Sequence, residues 1–158
     1  MYRIGIGYDI HPLVEGRKLF LGGQEVPHHR GLQGHSDADV LIHSVCDAIL
    51  GAMGEGDLGK MFPDSDQRYK DISSMELLRE VCRFMKRRGY LPSNVDSTVV
   101  AGSPRLAPHI PRMRENIAAC LGIEVEQVNV KATDPEGLGS MGKGEGIAAY
   151  SVCLLMKI

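Results

Sequence analysis

The sequence predicts an α+β fold in which one four-stranded β-sheet, with a short N-terminal hairpin, carries helices on one face. Extended apolar segments alternate along the chain with segments whose apolar residues recur at helical spacing. The last segment, Ile147–Lys157, is apolar on both alternating faces, which favours a strand buried on both sides. The predicted helices are too few to cover both faces, so we expect a closed homo-oligomer to bury the other face.

The first half of the chain is assigned in order from periodicity and helix caps. Strands are predicted over Tyr2–Asp9 and Lys18–Leu21, and Val26–Gly34 is expected to be irregular. A helix over Asp37–Met53 follows, because its apolar residues share one face. Its predicted start is a capping box in which Ser36 caps the helix and Asp39 reaches back.

The second half begins with Gly54–Asp71, a long stretch with little periodicity, and such loops are more often functional than idle. Ser73 and Glu76 form a second predicted capping box, which opens a helix that ends at the basic run before Gly89. The remaining predicted elements are a strand over Val95–Ala101, a helix over Pro108–Leu121, and strands over Val128–Thr133 and Ile147–Lys157.

Composition excludes several classes of protein. The chain has 158 residues, 43% hydrophobic and 24% charged, so we expect one domain over residues 1–158. Eighteen basic residues nearly balance 20 acidic ones, which argues against a nucleic-acid or membrane partner. No apolar run approaches transmembrane length, and no export signal is evident. The four scattered cysteines favour reduced core residues, so we expect a cytoplasmic protein.

A candidate metal site follows the first strand. Side chains repeat every two residues along a strand, so Asp9 and His11 project to the same face. His43, in the predicted helix, is the candidate third ligand. Three such ligands leave a tetrahedral metal with one open position, which is typical of catalytic zinc. The alternative is that His43 is a hydrogen-bonded core histidine and Asp39 only a helix cap.

Two later segments have the composition of phosphate-binding turns. Asp134 before Pro135 has the form of an N-cap followed by proline at the first helical position. Thr133 and the turn amides suit phosphate oxygens, and Glu136 suits a hard cation such as Mg²⁺. Lys143, between glycines, offers a cation to an anion. Each segment alone is more simply an ordinary turn.

The loop that connects a predicted strand to a predicted helix, Ala101–Pro108, is a third candidate, where backbone groups suit a base or ribose. Together with the two phosphate-binding turns and the metal site, it points to a phosphate-rich ligand with two metals.

The combined motifs resemble those of the 2-C-methyl-D-erythritol 2,4-cyclodiphosphate synthase family over essentially the whole chain. They are D-x-H, H-S-D-x-D-x-x-x-H, G-D-x-G-x-x-F-P-D-x-D, P-x-x-x-P-H-I-P-x-M-R, V-N-V-K-A-T and G-x-G-E-G-I. The resemblance implies a homotrimer with active sites between subunits and an apolar central cavity. A bacterial, cytoplasmic protein is the simpler expectation, and a processed plastid form is the alternative. The resemblance also implies conversion of 4-diphosphocytidyl-2-C-methyl-D-erythritol 2-phosphate to the 2,4-cyclodiphosphate and CMP, by attack of the 2-phosphate on the β-phosphorus.

The resemblance implies a role for each matching residue. Asp9, His11 and His43 would bind zinc, and Glu136 would bind Mg²⁺ or Mn²⁺ between substrate phosphates. His35 would stabilise the transition state, and Asp134 occupies a second position with that role. The implied substrate contacts are Asp9, His11, His35, Ser36, Asp57, Gly59, Phe62, Asp64, Asp66, Ala101, Pro104, Arg105, Leu106, Ala107, Ala132, Thr133, Asp134, Glu136 and Lys143.

The sequence departs from the family pattern near the second metal position. Asp134 and Pro135 stand where the family usually has threonines, and we expect Asp134 to cap its turn. Ser140 replaces a usual phenylalanine, which would loosen the pocket wall. Lys143 replaces a usual arginine and loses the bidentate fork, which bears on any binding of isoprenoid diphosphates in the central cavity.

Two alternative functions are weighed against the synthase. A metal-dependent phosphoesterase would use the same metal to activate water and would release CMP without a cyclic product. A non-catalytic trimeric binder of isoprenoid diphosphates would have no need of an open zinc position, so the intact Asp9, His11, His43 and Glu136 argue against it.

Overall fold

The computed structural model describes all 158 residues and shows an α+β fold, as predicted. It contains a five-stranded sheet, a separate two-stranded hairpin, three helices of 12 to 14 residues and two single-turn helices. The strands are β1 Tyr2–Glu15, β2 Leu19–Leu21, β3 Gln24–Val26, β4 Arg30–Leu32, β5 Tyr90–Val100, β6 Val128–Thr133 and β7 Gly146–Lys157. The helices are α1 Val40–Met53, α2 Leu58–Met61, α3 Ser74–Arg87, α4 Ile110–Leu121 and α5 Gly139–Gly142.

The sheet has the strand order β4-β1-β7-β5-β6, with β7 at its centre. β7 is antiparallel to β1 and β5, whereas β5 and β6 are parallel. The predicted count of four strands is wrong, because β4 lies in the stretch that was expected to be irregular. β1 runs six residues past the predicted end at Asp9, and its extension pairs with β4 from Leu13↔Leu32 to Glu15↔Arg30. A three-residue strand is too short to show periodicity, so only its partner reveals it.

Helix α1 packs unusually close to β1, because glycines on the strand leave room for it. A Cβ on Gly5 would lie 1.9 Å from the carbonyl oxygen of Ala48, and one on Gly7 would lie 1.9 Å from that of Ser44. The hydroxyl of Ser44 also lies 2.7 Å from that of Ser151 on β7. This close packing fixes α1 over the end of β1 and so places His43 beside Asp9.

The start of α1 differs from the prediction. The helix begins at Val40, and its N-cap is Asp39 rather than Ser36. The Asp39 carboxylate accepts hydrogen bonds from the backbone N–H groups of Ile42, Gly22 and Gly23 at 3.0, 3.0 and 2.8 Å. A carboxylate that also ties down the β2–β3 turn satisfies more donors than the Ser36 hydroxyl could.

The other helix starts were predicted more closely. Ser73 caps α3 by accepting from the N–H of Met75, as expected, but Glu76 pairs with Arg79 and does not complete the capping box. Helix α4 begins at Ile110, after a 3₁₀ turn over Ala107–His109.

One face of the sheet is uncovered in the single chain. The outward side chains of β1 are apolar, and beside them on β7 lie further apolar side chains in register. Ile4 and Ile6 are 71% and 69% exposed, and Tyr8, Ile10, Tyr150, Val152 and Met156 are exposed as well. An apolar surface of this extent is typical of a face that another molecule covers. None of the helices is both long and apolar enough to span a bilayer.

Candidate metal centre and substrate cavity

The structure brings together the three side chains that the sequence suggests as metal ligands. Asp9 and His11 lie on β1, and His43 lies on the first turn of α1. The Asp9 Oδ2 atom is 3.0 Å from His11 Nε2 and 3.0 Å from His43 Nδ1. All three ligand atoms lie within 4.8 Å of one another. One carboxylate and two imidazoles converging from two elements match the donor set of a divalent metal with an open position.

Hydrogen bonds on the far side of each ring test whether these residues fit a metal. His11 Nδ1 lies 2.8 Å from the carbonyl oxygen of Gln33, which only accepts, so Nδ1 donates to it and Nε2 is the nitrogen left for a metal. His43 Nε2 lies 2.8 Å from the hydroxyl of Ser74, which leaves Nδ1 for the metal. Outer partners of this kind accompany nearly all metal-binding histidines. The donor set therefore fits a divalent metal.

The electrostatics of the cluster favour a charged Asp9. Partial burial disfavours its ionised form, but hydrogen bonds from His11 and His43 outweigh that effect and lower the pKa of Asp9 to about 2. Burial would lower the pKa of His11, yet its contact with Asp9 raises it overall. Without a metal, the Asp9 carboxylate therefore favours the protonated form of His11, and a bound cation would take the place of that proton.

A cavity of about 330 Å³ opens beside the metal-ligand cluster. His35 is held at its edge, since its Nε2 donates to the carbonyl oxygen of Asp66 at 3.0 Å. The rings of Phe62 and Tyr69 meet edge to face at 5.1 Å and form an apolar wall. Of the predicted substrate contacts, those that line this cavity are Asp9, His11, His35, Ser36, Asp57, Gly59, Phe62 and Asp64.

Asp66 is also a predicted substrate contact, but it does not line this cavity. Its carboxylate accepts hydrogen bonds from the side chain and backbone of Arg68 at the surface. Only its carbonyl oxygen reaches the site, through His35.

The remaining predicted contacts lie in a second group, at the ends of the parallel strands β5 and β6 and in the segments that follow them. The pairing Val100↔Thr133 and the hydrogen bond from the N–H of Ala101 to the carbonyl of Thr133, 3.1 Å, bring the two strand ends together. None of these residues lines the cavity beside Asp9. The group comprises Ala101, Pro104, Arg105, Leu106, Ala107, Ala132, Thr133, Asp134, Glu136 and Lys143.

The structure shows the local environment of two members of this second group, Asp134 and Leu106. Asp134 caps its turn, as predicted, by accepting from the N–H of Glu136 at 2.7 Å. It does not begin a helix, because α5 starts only at Gly139 and Glu136 adopts a left-handed conformation with φ 55°. Leu106 is 3% exposed, so its side chain belongs to the core and is not free to contact a ligand.

Sequence reasoning missed several residues that line or support the cavity. Asp47 and Tyr69 line it, and the half-buried carboxylate of Asp47, whose pKa is raised by this partial burial, accepts from the N–H of Leu58 at 2.7 Å. Asp47 follows His43 by four residues on an otherwise apolar helix, and that spacing could have revealed it. Ser74 could not be identified in this way, because the sequence pattern around it predicts only the start of a helix.

Comparisons with known proteins agree with this geometry. The sequence matches the YgbB family over residues 2–156. It is 61% identical over 153 residues to 2-C-methyl-D-erythritol 2,4-cyclodiphosphate synthase of Syntrophomonas wolfei, covering 97% of this chain and 98% of that protein.

Two solved structures show the same fold. A CDP-bound 2C-methyl-D-erythritol-2,4-cyclodiphosphate synthase superposes with a TM-score of 0.90 at 33% identity, over 98% of this chain and all of the other. The bifunctional IspDF of Campylobacter jejuni superposes with a TM-score of 0.96 at 41% identity, over all of this chain and 43% of that one.

Proposed function

The chain belongs to the YgbB family, and we propose that it is a 2-C-methyl-D-erythritol 2,4-cyclodiphosphate synthase formed as one domain over residues 1–158. Its substrate is 4-diphosphocytidyl-2-C-methyl-D-erythritol 2-phosphate, and its products are the 2,4-cyclodiphosphate and CMP. The observation that carries the proposal is the Asp9–His11–His43 cluster, which opens onto a polar cavity of a size that suits a small phosphorylated polyol.

The proposed assembly is a homotrimer, and two observations support it. The apolar face of β1 and β7, with Ile4, Ile6 and Tyr8 outward, needs a cover that the single chain lacks. The two groups of predicted contacts do not share a cavity within one chain. Packing the sheet faces around a threefold axis buries the apolar surface and brings the second group of one subunit to the cavity of the next.

Asp9, His11 and His43 would hold Zn²⁺, and Glu136 would hold Mg²⁺ or Mn²⁺ with the substrate phosphates. Bound cations supply charge neutralisation and polarise phosphoryl oxygens during displacement at phosphorus. The Glu136 carboxylate is exposed, so it is accessible to a hydrated ion that keeps several waters.

In the reaction, an oxygen of the 2-phosphate forms a bond to the β-phosphorus, and the bond from that phosphorus to the bridging oxygen breaks. The bridging oxygen leaves with CMP. No protein nucleophile is needed, so this chain contributes orientation and charge. Asp57 and Asp64 would accept hydrogen bonds from the methylerythritol hydroxyls, while Gly59 and Phe62 shape that end of the cavity.

His35 and Ser36 would contact the phosphate that reacts. Since His35 Nε2 donates to the Asp66 carbonyl, the ring stabilises developing negative charge only through a protonated Nδ1. The protonated form of His35 is therefore the catalytically useful one.

The loops of the neighbouring subunit would bind the cytidyl part. Ala101, Pro104, Arg105 and Ala107 surround the base and ribose, with the backbone of Leu106. Ala132, Thr133, Asp134 and Lys143 meet the diphosphate.

The direct test is ³¹P NMR of purified protein with the cytidyl diphosphate substrate, Zn²⁺ and Mg²⁺. We expect two coupled resonances of a cyclic diphosphate to appear with CMP. They should disappear in His43→Ala, with a loss of at least about 10²-fold in turnover. His29→Ala is the matched control, because this exposed histidine contacts Glu15 at 3.9 Å and the ring of His28, and it does not line the cavity.

The products discriminate between the alternatives. A linear phosphate product would show hydrolysis and would replace the synthase with a phosphoesterase. An absence of turnover in a protein that binds zinc and is trimeric would favour a binder of isoprenoid diphosphates.

A further inference from the structure

A chain of buried polar groups extends from the metal-ligand cluster into the protein. His43 Nε2 lies 2.8 Å from Ser74 Oγ, and Ser74 Oγ contacts Asp37 Oδ1 in turn. The three residues come from α1, the first position of α3 and the loop between β4 and α1. Ser74 is fully buried, so water does not compete for its hydroxyl.

The direction of each hydrogen bond in this series of polar groups follows from which groups can donate and which can accept. The Asp37 carboxylate only accepts, so the Ser74 hydroxyl donates its one proton to Asp37. With that proton committed, Ser74 Oγ must accept from His43 Nε2. His43 Nε2 therefore carries a proton, and Nδ1, which lies 3.0 Å from Asp9 Oδ2, is the nitrogen left for a metal.

Asp37 is itself fixed in place. Its Oδ2 accepts from the backbone N–H of Ser74 at 3.1 Å, and its Oδ1 accepts from the N–H of Asp39 at 3.1 Å. Its own N–H donates to the carbonyl of Ile72 at 3.1 Å. The start of α3 thus braces the loop that leads into α1.

We propose that Ser74 and Asp37 are positioning residues that lock the tautomer and the ring orientation of His43 for metal binding. The proposal rests on the metal site of the proposed function. Outer partners of a ligating histidine raise its basicity as well as orient it, and their loss typically weakens metal affinity by about 10- to 100-fold.

The two histidines of the cluster are supported differently. The outer nitrogen of His11 meets a neutral carbonyl, that of Gln33, whereas the hydrogen-bond chain from His43 ends on a carboxylate. Ser36 Oγ also lies 3.2 Å from His43 Nε2, but it is the longer contact and already accepts from the N–H of Ala38 at 3.1 Å. The geometry therefore makes Ser74 the principal partner.

The experiment compares Ser74→Ala with Ser73→Ala, its neighbour in sequence. Ser73 is the exposed N-cap of α3 and touches no ligand, so its loss affects the helix but not the ring. Two readouts are taken on the whole protein: Zn²⁺ and Co²⁺ affinity by competition with a chromophoric chelator, and the hydrogen bond of the His43 Nε2–H group in metal-free protein by ¹⁵N NMR.

For Ser74→Ala we expect metal affinity to fall by about 10- to 100-fold and the hydrogen bond of His43 Nε2–H to be lost or weakened. Ser73→Ala should keep wild-type values in both readouts. Ser74→Thr, which keeps the hydroxyl, should recover the hydrogen bond. Wild-type affinity together with an unchanged Nε2–H hydrogen bond in Ser74→Ala would overturn the proposal.

A second variant covers the case in which Ser74→Ala does not fold. Asp37→Asn keeps the shape of the loop, but one of its two terminal atoms becomes an NH₂ group, so it cannot accept from the Ser74 hydroxyl, the Ser74 N–H and the Asp39 N–H together. It should lower metal affinity and weaken the hydrogen bond of His43 Nε2–H, and a wild-type result would refute the assignment. Since this hydrogen bond is measured without metal, a wild-type protein that bound no metal would overturn the proposed function while the ¹⁵N measurement still decided on Ser74.

Discussion

The two halves of the proposed active site are built in different ways. Around Asp9, His11 and His43 the side chains are three-quarters buried or more, and each histidine has a hydrogen-bond partner on its far side. In the second half, Thr133, Asp134 and Glu136 are exposed. The carboxylate of Asp134 reaches only the backbone N–H of Glu136.

This difference separates two properties that a single active site usually combines. Metal binding would depend on contacts within one chain, because β1, α1 and α3 hold the three candidate ligands. In the proposed function, recognition of the diphosphate would depend on residues that do not line the cavity of their own chain. The single chain thus forms the first half, and the proposed trimer would supply the second.

The largest expected effect comes from recombining the two halves. His43→Ala and Glu136→Gln trimers should each be nearly inactive, since each lacks one half in every site. After co-refolding at equal amounts, about three quarters of the trimers are mixed and each has one intact site of three, so activity should return to about a quarter of wild type. Initial rates of CMP release measure this recovery.

The matched control mixes His43→Ala with Asp9→Asn, which damage the same half. No mixed trimer of that pair has an intact site, so no activity should return. If the His43→Ala and Glu136→Gln pair also stays inactive while mass spectrometry shows mixed trimers, the two halves are not contributed by different subunits.

A second prediction concerns the close packing of β1 against α1, which holds the candidate metal ligands in place. Gly7→Ala would place a Cβ 1.9 Å from the Ser44 carbonyl oxygen, so β1 and α1 must separate. We expect a loss of about 3 kcal/mol in the free energy of unfolding. Metal affinity should also fall, because Gly7 precedes Asp9 by two residues and Ser44 follows His43.

Gly51→Ala is the control, for which we expect the free energy of unfolding to change in the opposite direction. A Cβ on this exposed glycine of α1 meets nothing closer than the Ile6 carbonyl oxygen at 3.7 Å, and alanine in a helix interior should stabilise by about 0.5–1 kcal/mol. Urea unfolding of both variants gives the comparison. A Gly7→Ala protein as stable as wild type would mean that α1 does not need this close approach.

The same contrast explains what the sequence could predict. The spacing of Asp9 and His11 follows from strand periodicity, and His43 lies on a helix whose pattern is clear, so the ligand set could be proposed before the fold was known. Strand β4 could not be predicted, because three residues are too few to show a periodic pattern. Ser74 could not either, since its role depends on a contact across 31 residues that no local pattern records.

A third prediction concerns pH. In metal-free protein His11 has a raised pKa, so the stability it contributes is fully present below its unfolded value of about 6.5 and is lost as pH rises through the folded pKa. Asp9, lowered to about 2, contributes stability that is present above its unfolded value of about 3.9 and lost as pH falls towards 2. Metal requires neutral histidines, so saturating Zn²⁺ should reverse the trend at neutral pH.

Thermal unfolding from pH 6 to 8 provides the measurement. With chelator the melting temperature should fall as pH rises, and with Zn²⁺ it should rise. His11→Gln should flatten the chelator curve, whereas His29→Gln, at an exposed position, should leave it as in wild type. Parallel curves with and without Zn²⁺ would argue against metal binding at His11.

The smallest expected effect concerns Asp134, in the second half of the proposed active site. Asn at this position keeps the oxygen that accepts from Glu136 but removes a negative charge that would repel the diphosphate. Because the side chain is exposed and screened, relief of about 0.5–1 kcal/mol should lower KM by about two- to fivefold and leave kcat unchanged. Steady-state kinetics at fixed Mg²⁺ measure both constants.

Asp134→Ala separates the cap from the charge. It removes the repulsion as Asn does, but it also frees Glu136, whose left-handed backbone then loses the hydrogen bond that holds it. The Ala variant should therefore share the lower KM and lose kcat, because the second cation is less well placed. A fall in kcat with Asn itself, restored by higher Mg²⁺, would instead show that the Asp134 carboxylate binds the cation beside Glu136. The second half of the proposed site would then hold its cation with two carboxylates, those of Asp134 and Glu136.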